Sequence, residues 1–435
     1  MKVLLVEEWA ERERLALQML QYFLERAGHR TRITDIWERE RDFIDFRPDV
    51  VIDNTCDGIE HFLGKGHFLN ETHRYINFTW EQFANAFNLT RFRYDEIVQS
   101  SVVDGRICWG DHFKNTLLEE NPGMDPSRMR KTGSIKHAIA SLFQSIDKPS
   151  LEALYDYDFD RYDRVILVAE NFKLAMKNPE DFRGNSGQGT DYPYYYELIR
   201  RLQRMKPKFT DAIDRMARQR SDWLFLMRMH PGDEPSYYKT YEERLDHPNV
   251  AFNRSGCIDP LLRIADGMVA SRSGSLCDAY IAGTPAGDLV NPGEPIAYTG
   301  VIQTSERDFA VSREVEDFDT DELESIIEAY PTPEGVEELE AKWFASTGLD
   351  AFENVVDFIE EIAGRPALPK KAPADAYASL ESTRRAIGNL LRLTVWDRKS
   401  PREENFDYDR LFELLVESLG LDDAETSRPT PTAAR

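Results

Sequence analysis

Two stretches decide the fold: FLMRMHPGDE at Phe225–Glu234 and IDPLLRIADGMVASRSGSLCDAYIAGTP at Ile258–Pro285. Each contains a short apolar run bounded by turn residues, the pattern of a buried strand. Trp223 to Met227 leads into Arg228-Met229-His230-Pro231, and Gly267 to Ala270 leads into Ser271-Arg272-Ser273-Gly274-Ser275, after which a helix follows. Two strands of one parallel sheet are therefore expected to end close together. Open α/β sheets bind their ligands outside those carboxyl ends. A small-residue turn that opens a helix offers backbone N–H groups and the positive end of a dipole. Arg228 and His230 add side-chain donors. The combination suits the phosphate or diphosphate of a nucleotide-linked donor.

Working outward, a buried strand at Val165 to Val168 ends at Ala169-Glu170-Asn171-Phe172, which makes Asn171 a further candidate contact. The Gly-rich loop Arg183–Tyr192 follows, read either as a lid over a cleft or as a plain solvent loop. A long helix is expected from Tyr194 to Arg220. At the amino terminus Val3–Val6 is a strand, followed by an amphipathic helix in which Leu15, Met19, Tyr22 and Phe23 recur at helical spacing. Gly28-His29 ends that helix, and Thr31–Asp35 and Val50–Asp53 are further strands. This β-α-β-α-β order opens a first Rossmann-like half. Tyr75–Asn77 and Arg106–Trp109 continue it, and the polar, Tyr- and Asp-rich stretch Asp147–Asp163 reads as a linker.

The chain is 435 residues long, enough for two domains, and 41% hydrophobic, enough to fill their cores. Its net charge of −24 argues against nucleic acid, whose phosphates need a basic face. An anionic ligand must then find a locally positive pocket. Lysines number 15 and arginines 39, a bias that fits a GC-rich or a salt-adapted source. Cys56, Cys108, Cys257 and Cys277 form no CxxC pair and have no zinc spacing with a histidine, so buried thiols in a reducing cytosol are expected. MKVLLVEEW reads as a strand rather than a secretion signal, and no run of 18 apolar residues exists.

The expected organisation is α/β: two Rossmann-like domains facing a cleft, with a C-terminal helical extension. An acceptor domain spans 1–150, a nucleotide-donor domain 160–335, closing helices 336–365, a linker and amphipathic helical extension 366–421, and a disordered tail 422–435. Within the extension, a helix over Asp375–Trp396 carries Arg384, Arg385 and Arg392, with Arg398 just beyond it. That face fits either an anionic inner-membrane surface or docking on this protein or on a polysaccharide-assembly partner.

The segments Trp109-Gly110-Asp111 and Lys131-Thr132-Gly133-Ser134 resemble the WG…K…TG pattern of bacterial surface-carbohydrate and capsule-polysaccharide biosynthesis proteins. The later RMHPGDE and ADGMVASRSGSLCDAYIAGTPA segments resemble the donor-binding half of the same proteins. The His-Pro pair and serine cluster look like those of CMP-sugar transferases and CDP-glycerol glycerophosphotransferases. This resemblance, over roughly residues 1–365, implies a GT-B glycosyltransferase architecture. It places His230, Ser271, Ser273 and Ser275 on the donor phosphates. Arg272 departs from the usual Ser-Ser or Ser-Thr pairing, and the Asp-Tyr-Ser-Ser turn of the glycerophosphotransferases is absent. Gly274 completes the cradle, and Asp259 either meets ribose or sugar hydroxyls, as Glu294 does, or caps the helix Leu261–Ala265.

An inverting transfer needs a general base beside the acceptor hydroxyl. In this architecture it comes from the amino-terminal half, where the strand-end carboxylates are Glu7, Glu8, Asp53, Asp57 and Glu81. Cys56-Asp57-Gly58 resembles the acidic-acidic-Gly motif of the CMP-sugar transferases, with cysteine at its first acidic position. Asp57, Glu8 and Glu81 are the base candidates, and His230 meets the leaving phosphate. No DxD pair stands at a metal-binding strand end, so no metal is expected, nor any tightly bound cofactor beyond a CMP-, CDP- or UDP-linked donor. The expected partners are that donor and a glycan or lipid-linked glycan acceptor. The expected location is the cytoplasm, with or without peripheral contact at the inner membrane. Two alternatives stay open: a nucleotide-sugar 2-epimerase-like isomerase, and a non-catalytic glycan-binding or assembly protein with a degenerate site.

Overall fold

The structure is a computed structural model that describes residues 1–36, 38–53, 73–80, 82, 103–182, 192–229, 235–271, 273–291, 309–330, 336–366 and 406–421. Among them are two parallel sheets of six strands each. The first contains β1 (Lys2–Glu7), β2 (Arg30–Asp35), β3 (Val50–Asp53), β4 (Arg74–Asn77), β5 (Gly105–Cys108) and β6 (Met129–Lys131), in the order β2-β1-β3-β4-β5-β6. The second contains β7 (Arg164–Ala169), β8 (Trp223–Arg228), β9 (Val250–Asn253), β10 (Gly267–Ala270), β11 (Ala286–Val290) and β12 (Val311–Glu314), in the order β12-β11-β10-β7-β8-β9. Numbered within itself, the second sheet runs 3-2-1-4-5-6 with its switch point between β7 and β10. The first runs 2-1-3-4-5-6 with its switch point between β1 and β3.

The helices of the first half are α1 (Ala10–Arg26), α2 (Arg39–Phe46), α3 (Asp111–Glu120) and α4 (Ile135–Leu142), and α5 (Lys148–Glu152) lies in the connection. The second half adds α6 (Tyr192–Gln219), α7 (Pro235–Arg244), α8 (Asp259–Ile264), α9 (Ser275–Ala282) and α10 (Thr320–Ala329). The chain then returns through α11 (Val336–Trp343), α12 (Asp350–Gly364) and α13 (Tyr408–Ser418). Strand side chains alternate between faces, so Val3 and Leu5 join one apolar cluster while Leu4 and Val6 join another. Both faces are covered, as a parallel sheet requires. One cluster is continuous through both halves, from Leu5 and Leu20 through Ile139 to Leu276 and Leu167.

Asp147–Asp163 is anchored to this shared core. Asp147 caps α5 by accepting the Ser150 N–H at 3.0 Å, and Leu151 and Phe159 are buried in the common cluster. The polar composition of the stretch hides two apolar anchors spaced to reach inward.

The carboxy-terminal return docks on the first half through close backbone contacts. A β-carbon on Gly110 would lie 2.4 Å from the Trp343 carbonyl oxygen, and one on Gly133 would lie 2.4 Å from that of Ser346. The Ala345 N–H donates to the Trp109 carbonyl at 2.7 Å, and the Ser134 N–H to the Ser346 carbonyl at 2.9 Å. Gly133 also has φ +87°, the left-handed region that disfavours a side chain. The glycines of the WG and TG pairs thus admit the returning chain. Next, α12 packs on α1 and buries Phe352, Val355 and Ile359. In α13, Leu411, Leu415 and Val416 are buried against α1 and the end of α4, each contributing about 1.5–3 kcal/mol. A helix that short needs such packing to persist.

Replacing Gly133 by alanine is expected to cost about 2–4 kcal/mol, because strain and a backbone clash act together. Gly28 has φ +82° but open space around it, so Gly28→Ala should cost only about 1 kcal/mol. Urea unfolding of the two variants checks the difference.

Candidate functional site

The carboxyl end of the second sheet presents one aligned row. Asn253, Arg228, Ala169, Ala270, Asp288 and Ser312 are successive partners across β9, β8, β7, β10, β11 and β12. β7 lies between β8 and β10, so the two strands read from sequence are not neighbours; they end about 10 Å apart, two strand spacings. The residues just beyond the row include Asn171 after β7 and Ser271, Ser273, Gly274 and Ser275 after β10. They flank the switch point, where this topology leaves a crevice.

Several candidate side chains serve the fold at that edge. Arg228 is buried, and its guanidinium donates to Asn253 Oδ1 at 2.6 Å, to the Ser255 carbonyl at 2.9 Å and to the Gly256 carbonyl. It holds the turn after β9. The Ser271 hydroxyl donates to the Leu289 carbonyl at 3.1 Å, tying β10 to β11. Ser273 Oγ accepts the Ser275 N–H at 3.3 Å, so the turn is ordered from within. Gly274 stands at the head of α9 in helical conformation, with no side chain capping it and nothing within 4 Å of where its β-carbon would be. Asn171 is half-buried. Asp259 is the first residue of α8, preceded by Ile258 at the cap position.

His230, Asp57, Glu81, Arg272 and Glu294 lie outside the described residues, as do 183–191, the helix expected over 375–396 and the tail from 422. In the amino-terminal half, Glu8 follows β1 half-exposed and pairs with Arg12 at 3.1 Å. Glu7 is buried and accepts from Arg14 Nη2 at 2.6 Å, and Asp53 is buried with Arg39 at 3.7 Å.

Sequence reading missed Glu13. It is fully buried, accepting the Glu8 N–H at 2.7 Å and Arg12 Nη2 at 2.6 Å. Burial pushes its carboxyl up to about 7, with Arg12 opposing. The signal was present, since Glu13, Leu17, Leu20 and Leu24 form one buried stripe of α1. A carboxyl that titrates near neutrality thus stands beneath Glu8, at the carboxyl end of β1.

Also missed was the meeting point of the two sheets. α4 leaves β6 with Ser134 as its cap, and Lys136 and His137 occupy its first turn. Lys136 Nζ lies 3.4 Å from Asp278 Oδ2 in the first turn of α9, and His137 Nε2 lies 3.5 Å from Asp278 Oδ1. The Ser134 hydroxyl is 2.7 Å from His137 Nδ1. Burial drives His137 well below its ordinary value, with Lys136 acting in the same direction. Burial raises Asp278, opposed by Lys136; burial and then Asp278 raise Asp259 to about 7. Burial works against the Lys136 ammonium, but Asp278 foremost holds its pKa above the ordinary value.

Among the described residues, no group of three or more His, Cys, Asp or Glu side chains could hold a metal ion, and no helix is long and apolar enough to cross a membrane. Cys108, Cys257 and Cys277 are buried.

No protein-family model matches the chain, and no curated protein matches it. Solved structures do. The wall teichoic acid polymerase TagF aligns with a TM-score of 0.53 at 12% identity, over 83% of this chain and 88% of that one. A histidine-to-alanine variant of TagF gives 0.52 at 11%, over 83% and 89%. MnaA of S. aureus with UDP gives 0.45 at 13%, over 92% and 98%. At these identities the TagF likeness speaks to the fold alone, and that fold is a GT-B-like pairing of two α/β halves.

The linkage for Glu13 has a definite sign. Its folded value, about 7, exceeds its ordinary 4.5, so its contribution to stability is fully present below pH 4.5 and is lost as pH rises through 7. Glu13→Gln should therefore remove a pH dependence on the order of 3 kcal/mol across that window, read as the difference between wild-type and variant unfolding curves.

Proposed function

We propose that this protein is a glycosyltransferase of surface polysaccharide biosynthesis, moving a sugar or a polyol phosphate from a nucleotide-linked donor to a glycan acceptor. The observation that carries the reading is the small-residue turn Ser273-Gly274-Ser275 opening α9 beside the β7/β10 switch point. A helix start free of bulky side chains suits a diphosphate. The two-domain GT-B-like fold supports a transferase kind. One structure of TagF was obtained after a soak with CDPG, and a CMP-, CDP- or UDP-linked donor is accordingly proposed for this chain.

In the proposed chemistry the base takes the proton from an acceptor hydroxyl as that oxygen attacks the donor carbon or phosphorus. The bond to the leaving phosphate breaks, and the negative charge that develops there is met by the α9 turn and by His230. Glu8 is the one base candidate among the described residues, with Asp57 and Glu81 as the others. Glu8 is paired with Arg12 at 3.1 Å beside the end of β1. No resident metal or cofactor has a part in this proposal, and the donor places the activity in the cytoplasm. Contact of the carboxy-terminal extension with the inner membrane or an assembly partner belongs to the same proposal.

Thermal stabilisation by CMP, CDP, UDP and GDP tests the reading. One nucleotide should raise the melting temperature of the wild type and fail to do so for a folded His230→Ala variant. A wild type indifferent to all four would count against a nucleotide-linked donor.

A further inference from the structure

The transfer chemistry makes no use of Lys136, His137, Asp278 or Asp259, although they occupy the place where the two halves touch. Asp278 is 3% exposed, and its Oδ1 accepts no hydrogen bond among the described residues. Its contacts to Lys136 and His137 are long for an ion pair or hydrogen bond, at 3.4 and 3.5 Å. Such a buried carboxylate is a poor source of stability, because desolvation costs more than loose contacts return. The best-attested use of buried pairs of this kind is to set register between elements.

The location gives that register a purpose. Asp278 is in the first turn of α9, the helix whose opening turn is the candidate phosphate cradle. Lys136 and His137 are in the first turn of α4, held to the amino-terminal sheet by the Ser134 cap and by Gly133 against Ser346. Phe344 of the returning chain packs tilted against His137 with centroids 4.8 Å apart, and Trp109 meets the same ring edge-on at 4.7 Å. The histidine is thus clamped from the first half while its Nε2 faces the second. Asp259 of α8 gives Lys136 a second carboxylate within electrostatic reach.

We propose that Asp278 is a positioning residue, which through Lys136 and His137 fixes the donor helix α9 relative to the amino-terminal half and so couples donor binding to the angle between the halves. The proposal rests on the reading of the α9 turn as the donor site. Coupling of this kind is reciprocal: a ligand on α9 biases the angle, and the angle biases affinity for the ligand.

The test uses the full chain with Asp278→Asn, Lys136→Met, the charge swap Lys136→Asp with Asp278→Lys, and Asp278→Glu. UDP and CDP affinities are measured by calorimetry. Small-angle X-ray scattering is recorded with and without nucleotide. Both single neutral variants should bind about tenfold more weakly and show an altered pair-distance distribution without nucleotide, at unchanged far-ultraviolet circular dichroism. Asp278→Glu should recover most of the affinity, as should the swap if it folds. Neutral variants that bind and scatter as the wild type does would overturn the proposal. So would Asp278→Glu binding no better than Asp278→Asn. If the wild type binds neither nucleotide, the reading of a CDP- or UDP-linked donor fails instead, and ligand-free scattering of the neutral variants still decides whether this contact sets the angle.

Discussion

Two carbonyl oxygens, those of Trp343 and Ser346, occupy the space where Gly110 and Gly133 would carry side chains. Much of the arrangement depends on that approach. It lets the returning chain lie flat against the ends of β5 and β6. It brings Phe344 onto Trp109 and His137 and turns His137 toward the other half. It also starts α12 in the position where Phe352 and Ile359 can cover α1. Any side chain at either glycine would lift the segment, and the aromatic contacts would open with it.

Charge is handled in a way that a formal count does not suggest. The chain carries −24, yet its candidate anion site is placed at a helix start and sheet edge, where backbone dipoles do the attracting. Among the described residues, the Arg228 guanidinium at that edge donates to carbonyl oxygens. Conversely, the carboxyls of Glu13 and Asp259 are pushed up toward neutral pH by burial. Adding up formal charges therefore overstates the negative potential at the junction of the halves.

What could be read from sequence was what depends on neighbours along the chain. Trp223–Arg228 and Gly267–Ala270 are strands because their apolar runs are short and bounded by turn residues, and α1 ends at Gly28 because a left-handed residue was needed there. The insertion of β7 between β8 and β10 was not legible, since strand order is set by which helices cover which face. The partners of Arg228 were not legible for the same reason: Asn253 and the Ser255 carbonyl that engage it come from a different strand and turn. Lys136 and Asp278 are 142 residues apart, and nothing in either segment names the other. The motif glycines were visible as a pattern, but their role became physical only with the backbone that passes over them.

The return of the carboxy-terminal segments has a consequence for how the molecule is made. α1 is buried on one side by its own sheet and on another by α12 and α13, which leave the ribosome hundreds of residues later. The half that is synthesised first is thus the half completed last. During translation its Leu15–Leu24 surface and the groove at Gly133 wait uncovered while the second sheet assembles. A nascent chain of this design spends much of its synthesis with an open apolar flank, and it depends on chaperones, or on the speed of the closing segments, to escape aggregation.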